Sequence, residues 1–467
     1  MRTSDDENLL LIDSVDATDR MNARFYGRFP YPWAPMKFDY LLDPHFETVM
    51  LNQALGDWDH ATVPRNPDIW VAGCGTNQAV YTALRFPKGK VQGSDISQTS
   101  LAICRDTSSK LGIDNLTLRE ESLNHVEYEE RFDYVLCTGV IHHNASPQGV
   151  LAKLARALKP GGILELMVYN RFHSIVPSAI QKAIHILQAG TSDAVDLERE
   201  LSLAHKLMGG LRFDNSVTSF LREFRTSPES MLADRLFQPV EQSYTVESLA
   251  ALAESCGLEL VAPCLNSFDV AVETYLWNID LGDPEAQRIY EALPDPQRWQ
   301  VSNLLLHERS PQIWFYLRRS DPERRPKSER EICAELLERE VARTSSVQRN
   351  YIRGEDERYT LSPHSVPYPV GLPHPFAQTV CEHAGSGVSL REICVRLGIS
   401  TDFLTVNRLR VLLTTPAFPY LVSLPAQRPA GTPSSDEKEL RERNNRERLR
   451  ATSAKAIKLP PSGGQSS

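Results

Sequence analysis

Between residues 68 and 169, short apolar runs alternate with stretches whose apolar positions recur every three or four residues. The short runs predict buried strands, and the second pattern predicts amphipathic helices. Regular alternation of the two is typical of an α/β fold in which helices cover both faces of a mostly parallel sheet. The predicted strands are Asp68–Ala72, Lys90–Ser94, Leu116–Glu120, Phe132–Cys137 and Ile163–Tyr169, and the predicted helices are Ala79–Arg85, Thr99–Leu111 and Gln148–Leu158.

The pattern changes after this region and then returns. Residues 174–240 carry apolar positions at helical spacing, which predicts a helical insertion. A helix at Thr245–Cys256, with Ser243 as a candidate N-cap, and strands at Leu258–Cys264 and Gln312–Leu317 resume the alternation. We therefore expect one domain over residues 61–319.

The two ends of the chain differ from this domain. Residues 1–60 hold an aromatic cluster broken by prolines and are predicted to form a cap. Residues 320–373 are predicted to be a charged linker with a helix at Glu331–Ala342, and residues 374–425 a small, mainly helical domain. Residues 426–467 mix charges, contain few apolar residues and are predicted to be disordered.

Length, charge and cysteine content narrow the class of protein. A chain of 467 residues predicts two or three domains. A net charge of −9 argues against a general binder of nucleic acids or anionic membranes. The eight cysteines form no C-x-x-C pair, the start of the chain resembles no secretory signal, and no apolar run approaches the roughly 20 residues that span a bilayer. We expect a cytoplasmic protein without a metal site.

The segment Ile69–Asn77 is the strongest candidate for a binding site. An apolar run ends in Gly73, Cys74 and Gly75, and Asp95 follows twenty residues after Gly75. Glycines let a ligand approach the backbone, and a carboxylate at the next strand end can accept hydrogen bonds from a ribose. Gln78 occupies the position of the third glycine in nicotinamide-binding sequences, which disfavours pyrophosphate. The pattern predicts an adenosyl cofactor.

Six motifs in register resemble the class I S-adenosylmethionine-dependent methyltransferases over about residues 65–170, with a weaker continuation to about 319. They begin at Val71, Gly93, Glu120, Phe132, Val140 and Leu158. The resemblance implies a Rossmann-like sheet and S-adenosylmethionine as cofactor. It further implies that Gly73, Cys74 and Gly75 line the cofactor, Asp95 binds the ribose hydroxyls, Glu121 and Ser122 lie near adenine, and Thr138 and Gly139 face the methionyl part.

Two positions depart from the pattern of this family. Val71 stands where an acid usually helps to hold the methionine ammonium group, so another carboxylate or a carbonyl has to replace it. Asn77 stands where a third glycine is usual, and Asn tolerates a left-handed backbone better than most residues.

Three residues are candidates for the catalytic step. His142 and His143 are adjacent, so on a helix they point about 100° apart and at most one faces the methyl group. Tyr169 ends the fifth predicted strand at the ligand-binding edge. Histidine suits a general base for a hydroxyl acceptor. Tyr26, Tyr31 and Trp33 are candidates for an aromatic lid over the sulfonium, with packing beneath a loop as the alternative.

Residues 389–413 resemble a helix-turn-helix, with Gly398 at the turn. Asn407, Arg408 and Arg410 would then face a DNA groove. The first helix carries Glu392 and few basic residues follow, so contact with a protein partner or self-association is favoured over DNA.

The sequence predicts methyl transfer to a small or medium-sized organic acceptor through O, N or C. A protein side chain is the alternative acceptor. A regulator that binds S-adenosylmethionine without catalysis, and contacts DNA or a protein through its C-terminal domain, is the alternative function.

Overall fold

The computed structural model describes residues 4–31, 38–189, 196–271, 277–321, 323, 325–385 and 387–424, with residues 4–14, 267 and 268 described through their backbone. The strands are β1 (Asp39–Leu41), β2 (Asp68–Ala72), β3 (Lys90–Asp95), β4 (Leu116–Glu120), β5 (Phe132–Thr138), β6 (Leu158–Tyr169), β7 (Leu258–Pro263), β8 (Gln312–Arg319), β9 (Val341–Arg343), β10 (Val347–Arg353), β11 (Tyr359–Pro367), β12 (Phe418–Pro419) and β13 (Leu421–Ser423).

The helices alternate with these strands as far as β6 and then cluster. They are α1 (Ser4–Arg28), α2 (Phe46–Ala54), α3 (Gln78–Arg85), α4 (Gln98–Leu111), α5 (Pro147–Ala157), α6 (Arg171–Ala189), α7 (Leu197–Gly210), α8 (Ser216–Glu223), α9 (Glu229–Leu236), α10 (Val246–Ser255), α11 (Ser267–Ala271), α12 (Pro284–Glu291), α13 (Asp295–Leu306), α14 (Glu329–Leu337), α15 (Pro375–His383), α16 (Leu390–Leu397) and α17 (Phe403–Thr414).

A seven-stranded sheet organises the central part of the chain in the order β4-β3-β2-β5-β6-β8-β7. The first five strands in this order, β4-β3-β2-β5-β6, pair in parallel, and β8 runs antiparallel to both β6 and β7. This architecture confirms the predicted α/β, Rossmann-like fold. The strand order reverses between β2 and β5, and the crevice at the carboxyl ends of strands at such a reversal is the usual ligand site.

Both faces of the sheet are covered, which explains the unbroken apolar sequence of β2. On one face Ile69 and Val71 pack against α3 and α4, and on the other Trp70 packs in a cluster with α5, α10 and α13. Helix α10 begins after Thr245, whose hydroxyl accepts from the Ser248 amide at 3.1 Å. The prediction of Ser243 as its cap is therefore wrong, because Thr245 and Ser248 form a reciprocal capping box.

Helix α1 and the helical insertion form one layer over the carboxyl ends of the strands. Phe25 of α1 and Phe29, which follows the end of α1, are buried against Phe237, with ring centroids 6.1 Å and 5.6 Å from the Phe237 centroid. Ile180 and Ile184 of α6 belong to the same apolar cluster. The predicted aromatic cap thus rests on the predicted insertion. Trp33 lies outside the described residues.

The stretch between the sheet and the C-terminal helices contains strands that the sequence analysis did not predict. Strand β10 pairs with β1 and β11, and β9 pairs with β13. Helix α14 begins at Glu329 and ends at Leu337, whereas the sequence predicted Glu331–Ala342. The strands were missed because β10 and β11 are largely polar and half-exposed, so they lack a clear apolar alternation.

Helices α16 and α17 flank Gly398, whose φ of 66° forms a left-handed C-cap. Asn407 and Arg410 of α17 are buried, and the Arg408 guanidinium lies 4.6 Å from the centre of the Phe376 ring. Helix α17 is thus largely a core helix, and burial of Asn407 and Arg410 argues against the role considered for them in a DNA groove, whereas Arg408 is exposed. The predicted disordered tail, residues 426–467, lies outside the described residues.

A buried ionic cluster joins α17 to the sheet domain. Glu329 of α14 accepts hydrogen bonds from Arg298 of α13 at 2.7 Å and from Arg410 at 3.0 Å. Asn278 and Trp299 donate to the same carboxylate. Burial opposes ionisation of this acid, but Arg410 and Arg298 outweigh that effect and hold the pKa of Glu329 below its usual value. No helix in the described parts of the chain is long and apolar enough to cross a bilayer.

Candidate functional site

A cavity of about 590 Å³ opens at the carboxyl ends of β2, β3, β5 and β6, under α1 and α9. Every residue that the sequence analysis assigned to the cofactor lines it: Gly73, Cys74, Gly75, Asp95, Glu121, Ser122, Thr138 and Gly139. A larger groove of about 1020 Å³ lies between β7, α12 and α13 and includes none of the predicted site residues.

The turn after β2 needs glycine for two reasons. Gly73 has a φ of 73°, and a Cβ atom there would lie 2.4 Å from Cγ2 of Val140. Its amide and that of Cys74 donate to the Ser94 carbonyl at 2.8 Å and 2.9 Å. Asn77, at the position of the third family glycine, has a φ of −148° and directly precedes α3. The left-handed backbone expected at Asn77 is therefore absent.

Asp95 is fixed against this turn. Its Oδ2 accepts from the Gly75 amide at 2.9 Å, and its Oδ1 accepts from the Ser97 amide at 2.8 Å. Burial raises the pKa of the Asp95 carboxyl, while these amides oppose the rise. Each oxygen retains a further lone pair, so the carboxylate can accept hydrogen bonds from a vicinal diol.

Helix α1 completes the side of the cavity near β4. The Ser122 hydroxyl donates to Asp19 of α1, and Asn124 Nδ2 donates to the other oxygen of Asp19 at 2.9 Å. Glu121 accepts from the Tyr128 hydroxyl at 2.8 Å. Asp19 was not predicted from the sequence, because its helix carries no motif.

The end of β5 supplies a polar side chain and a glycine turn. Thr138 Oγ1 accepts from Gln78 Nε2 at 2.6 Å. Gly139 has a φ of 76°, and its amide donates to the Met167 carbonyl at 3.2 Å. These contacts hold the wall between the glycine turn and the end of β6.

The two histidines occupy different environments on a short 3₁₀ turn, Ile141–His143. His143 lines the cavity, and its Nδ1 lies 2.9 Å from the Val240 carbonyl. Because a carbonyl can only accept, Nδ1 carries a proton, and a neutral ring therefore keeps a lone pair on Nε2. His142 lies outside the cavity wall, and burial lowers its pKa well below the usual value. Of the two candidates, only His143 is placed to meet a ligand in this cavity.

Tyr169, at the end of β6, belongs to a cluster that the sequence analysis recognised only in part. Its hydroxyl donates to Asp234 Oδ2 at 2.8 Å, and the Tyr26 hydroxyl donates to Asp234 Oδ1 at 3.1 Å. Asp234 belongs to α9 in the insertion and is buried. No motif marks Asp234, since its role depends on a tertiary contact between segments 65 residues apart. Tyr31 also lines the cavity, in keeping with the lid hypothesis.

The wall of this cavity suits a cationic nucleoside. It contains the carboxylates of Asp19, Asp95, Glu121 and Asp234, and no Lys or Arg among the described residues lines it. S-adenosylmethionine carries a sulfonium, an ammonium and a ribose diol. The Asp95 carboxylate fits the diol, and the acidic wall with Tyr26 and Tyr31 fits the cations.

Comparison with known proteins agrees with this geometry. The family model described as "Methyltransferase domain" matches residues 72–196. This part of the chain is an S-adenosylmethionine-dependent methyltransferase domain. An uncharacterised Synechococcus protein is 30% identical over 198 residues, covering 41% of this chain and 47% of that one. A ubiquinone biosynthesis O-methyltransferase of Proteus mirabilis is 28% identical over 170 residues, covering 33% and 67%.

Among solved structures, PKMT2 from Rickettsia typhi in complex with AdoHcy has a similar fold. Its TM-score is 0.51 at 14% identity, and the likeness covers 81% of this chain and 74% of that one. At this identity the likeness concerns the fold of the methyltransferase domain and of the regions around it. The chain spans about half to two thirds of the length of the curated relatives described above.

Proposed function

We propose that the chain transfers the methyl group of S-adenosylmethionine to a small or medium-sized organic acceptor. One observation carries the proposal. A single cavity joins the glycine turn and Asp95 to His143 and Tyr169, and α1 and the insertion cover it. Its volume of about 590 Å³ lies within the range of pockets that bind small molecules.

In this proposal the chain holds the cofactor from the β3 side of the cavity. Asp95 binds the ribose hydroxyls, and Glu121 and Ser122 border adenine. Gly73, Cys74 and Gly75 allow close approach of the backbone, and Thr138 and Gly139 border the methionyl part. When bound, S-adenosylmethionine supplies a methyl group activated by a sulfonium.

The chain's own contribution to the reaction is orientation and exclusion of water. In-line displacement needs an acceptor atom about 3 Å from the methyl carbon, opposite the sulfur. Tyr26, Tyr31 and Tyr169 border the space beside His143 and limit the entry of water. His143 keeps its Nδ1 proton on the Val240 carbonyl and can accept an acceptor's proton at Nε2.

The alternative of a DNA-binding regulator is disfavoured by the burial of Asn407 and Arg410 in the C-terminal helices. A protein side chain remains the alternative acceptor. Self-association or a protein partner at residues 374–425 remains a hypothesis, for which size-exclusion chromatography with light scattering is the direct test.

The test is release of S-adenosylhomocysteine from S-adenosylmethionine in the presence of cell extract split by ultrafiltration. We expect release with the low-molecular-weight fraction, and at least a hundredfold slower release with Asp95→Ala. Asp214→Ala, at an exposed position of the insertion, is the matched control and should retain the wild-type rate. Release of S-adenosylhomocysteine with the protein fraction alone would show that the acceptor is a protein and not a small molecule. Release with neither fraction would contradict the proposed catalysis.

A further inference from the structure

The acceptor side of the cavity has a chemical character of its own. We propose that the acceptor atom is an amine nitrogen, and that Asp234 is the residue that binds it. This inference rests on the proposed methyl transfer and adds the substrate class. It follows from the charge of the cavity wall, the contacts of Asp234 and its position in the sheet order.

The wall disfavours an anionic acceptor, because the cofactor already brings its methionine carboxylate into a cavity whose own charged side chains are acidic. A carboxylate or phosphate that enters a buried site without a cationic partner costs several kcal/mol in desolvation. No described Lys or Arg lines this cavity, whereas four carboxylates do. Arg235 follows Asp234 in α9, but its guanidinium stacks 5.1 Å from the centre of the Tyr169 ring and lies outside the cavity wall.

Asp234 is a buried carboxylate held by neutral donors. Only 6% of its surface is exposed, and the hydroxyls of Tyr26 and Tyr169 donate to its two oxygens. Burial and the neighbouring Asp234 raise the pKa of both phenols well above the usual value, so both remain donors at neutral pH. No salt bridge joins Asp234 to a described Lys or Arg side chain. Arg235 stacks on the Tyr169 ring without pairing with Asp234, so a ligand ammonium group would supply the direct ionic partner that this carboxylate lacks among the described Lys and Arg side chains.

The position of Asp234 assigns it to the acceptor. It contacts the end of β6, while the ribose-binding Asp95 ends β3, and β2 and β5 lie between these strands. Three strand spacings correspond to about 14 Å between the β3 and β6 strand axes, so Asp234 lies on the β6 side of the cavity and Asp95 on the β3 side. The rings of Tyr26 and Tyr31 line the same cavity, and aromatic rings attract a cation more strongly than a neutral hydroxyl.

The proposed reaction is loss of a proton from the amine followed by methyl transfer to its nitrogen. The acceptor enters as an ammonium ion paired with Asp234 and gives one proton to His143 Nε2 or to water. The amine lone pair then forms a bond to the methyl carbon while the carbon–sulfur bond breaks, and its electron pair stays on sulfur. The products are the N-methylammonium ion and S-adenosylhomocysteine.

The test compares three probes that share one ring: 2-phenylethylamine, 2-phenylethanol and phenylacetate. Each is titrated by calorimetry into full-length protein saturated with S-adenosylhomocysteine. We expect the amine to bind at least tenfold more tightly than the alcohol or the acid. Asp234→Asn keeps an oxygen that can accept a hydrogen bond from a phenol. This variant should bind the amine at least tenfold more weakly than the wild type, and its affinities for the alcohol and for S-adenosylhomocysteine should stay within twofold of the wild-type values. The control variant Asp214→Asn should bind the three probes and S-adenosylhomocysteine with wild-type affinities.

Other results would overturn the assignment. Equal or tighter binding of the alcohol or the acid excludes an amine site. Weaker binding of S-adenosylhomocysteine to Asp234→Asn means that this carboxylate holds the methionine ammonium group instead. Failure of S-adenosylhomocysteine to bind the wild type contradicts the proposed function itself. Methyl label in lysine side chains of a protein fraction keeps the amine chemistry and contradicts only the proposed size of the acceptor.

Discussion

At Gly73 a single methyl group decides whether the cofactor turn can form. The positive φ strains any side chain, and the space that a Cβ would need is filled by Val140. Gly161 shares the strain, with a φ of 80°, but has nothing within 4 Å of the same point. Substitutions at Gly73 and Gly161 therefore separate the effect of backbone strain from the effect of filling the space beside Val140.

We therefore predict different outcomes for Gly73→Ala and Gly161→Ala. Gly161→Ala should lower the free energy of unfolding by about 1–2 kcal/mol because of the left-handed backbone, and Gly73→Ala should lower it more because Val140 must also move. Only Gly73→Ala should also bind S-adenosylhomocysteine more weakly, by at least tenfold, as measured by calorimetry on folded protein. Similar cofactor affinity in the two variants would mean that the turn does not approach the ligand.

Glu200 in the insertion supports a pH prediction. Burial, with Asp196 nearby, raises the pKa of this carboxyl to about 7, against a usual value of 4.5. The folded state therefore binds the proton more tightly than the unfolded state, and this contribution to stability is lost as the pH rises from 4.5 to 7.

Glu200→Gln should abolish the decrease in unfolding free energy that ionisation of Glu200 causes as the pH rises. Between pH 5 and pH 8 the wild type should lose roughly 1–3 kcal/mol of unfolding free energy relative to the variant. Urea denaturation across this range measures the difference, and parallel profiles for the two proteins would show that Glu200 ionises normally.

At the scale of elements, α1 closes the site by contacts that no local pattern reveals. Asn22 Nδ2 donates to the His143 carbonyl at 2.7 Å, and Gln238 Nε2 donates to Asn22 Oδ1 at 3.1 Å. A single buried amide thus connects the cap, the histidine turn and the end of the insertion.

Asn22→Ala should leave two buried polar groups without a partner, at a cost of about 1–3 kcal/mol. We expect faster hydrogen exchange in residues 15–31 and a several-fold lower affinity for S-adenosylhomocysteine. Arg20→Ala, on the exposed side of the same helix, is the control and should change neither. Unchanged exchange in Asn22→Ala would contradict a closing role for α1.

The sequence predicted the parallel strands, and the strand-end residues that the structure brings to one cavity, because these depend on short-range patterns. The bounds of β2 and β4 agree with the prediction, and Gly73, Asp95 and Thr138 meet in one cavity. Asp19, Asn22 and Asp234 were missed because their helices carry ordinary amphipathic patterns and reach the site only by packing. Strands β10 and β11 were missed because their sequences are largely polar, and β9 because it has only three residues.

At the scale of the whole molecule, the C-terminal helices share a core with the segment before the sheet. Trp58 packs with Ile332 and Leu409, and Glu329 links α13, α14 and α17. The predicted small domain at residues 374–425 is thus tied to the sheet domain by both apolar and ionic contacts.

Glu329→Gln should leave two buried guanidinium groups undercompensated and cost about 3–5 kcal/mol of unfolding free energy. Glu335→Gln breaks a surface pair with Lys327 and should cost at most about 1 kcal/mol. Thermal denaturation of both variants measures the contrast. Equal melting temperatures would show that the cluster contributes no more than a surface ion pair.

The central claim is that the turn after β2 and Asp95 together bind an S-adenosyl nucleoside. Calorimetric titration of S-adenosylhomocysteine into wild type and Asp95→Ala tests it most directly. We predict saturable binding at one site per chain in the wild type, weakened at least a hundredfold in a folded Asp95→Ala variant. No binding to the folded wild type, or equal affinity in the two proteins, would contradict the claim.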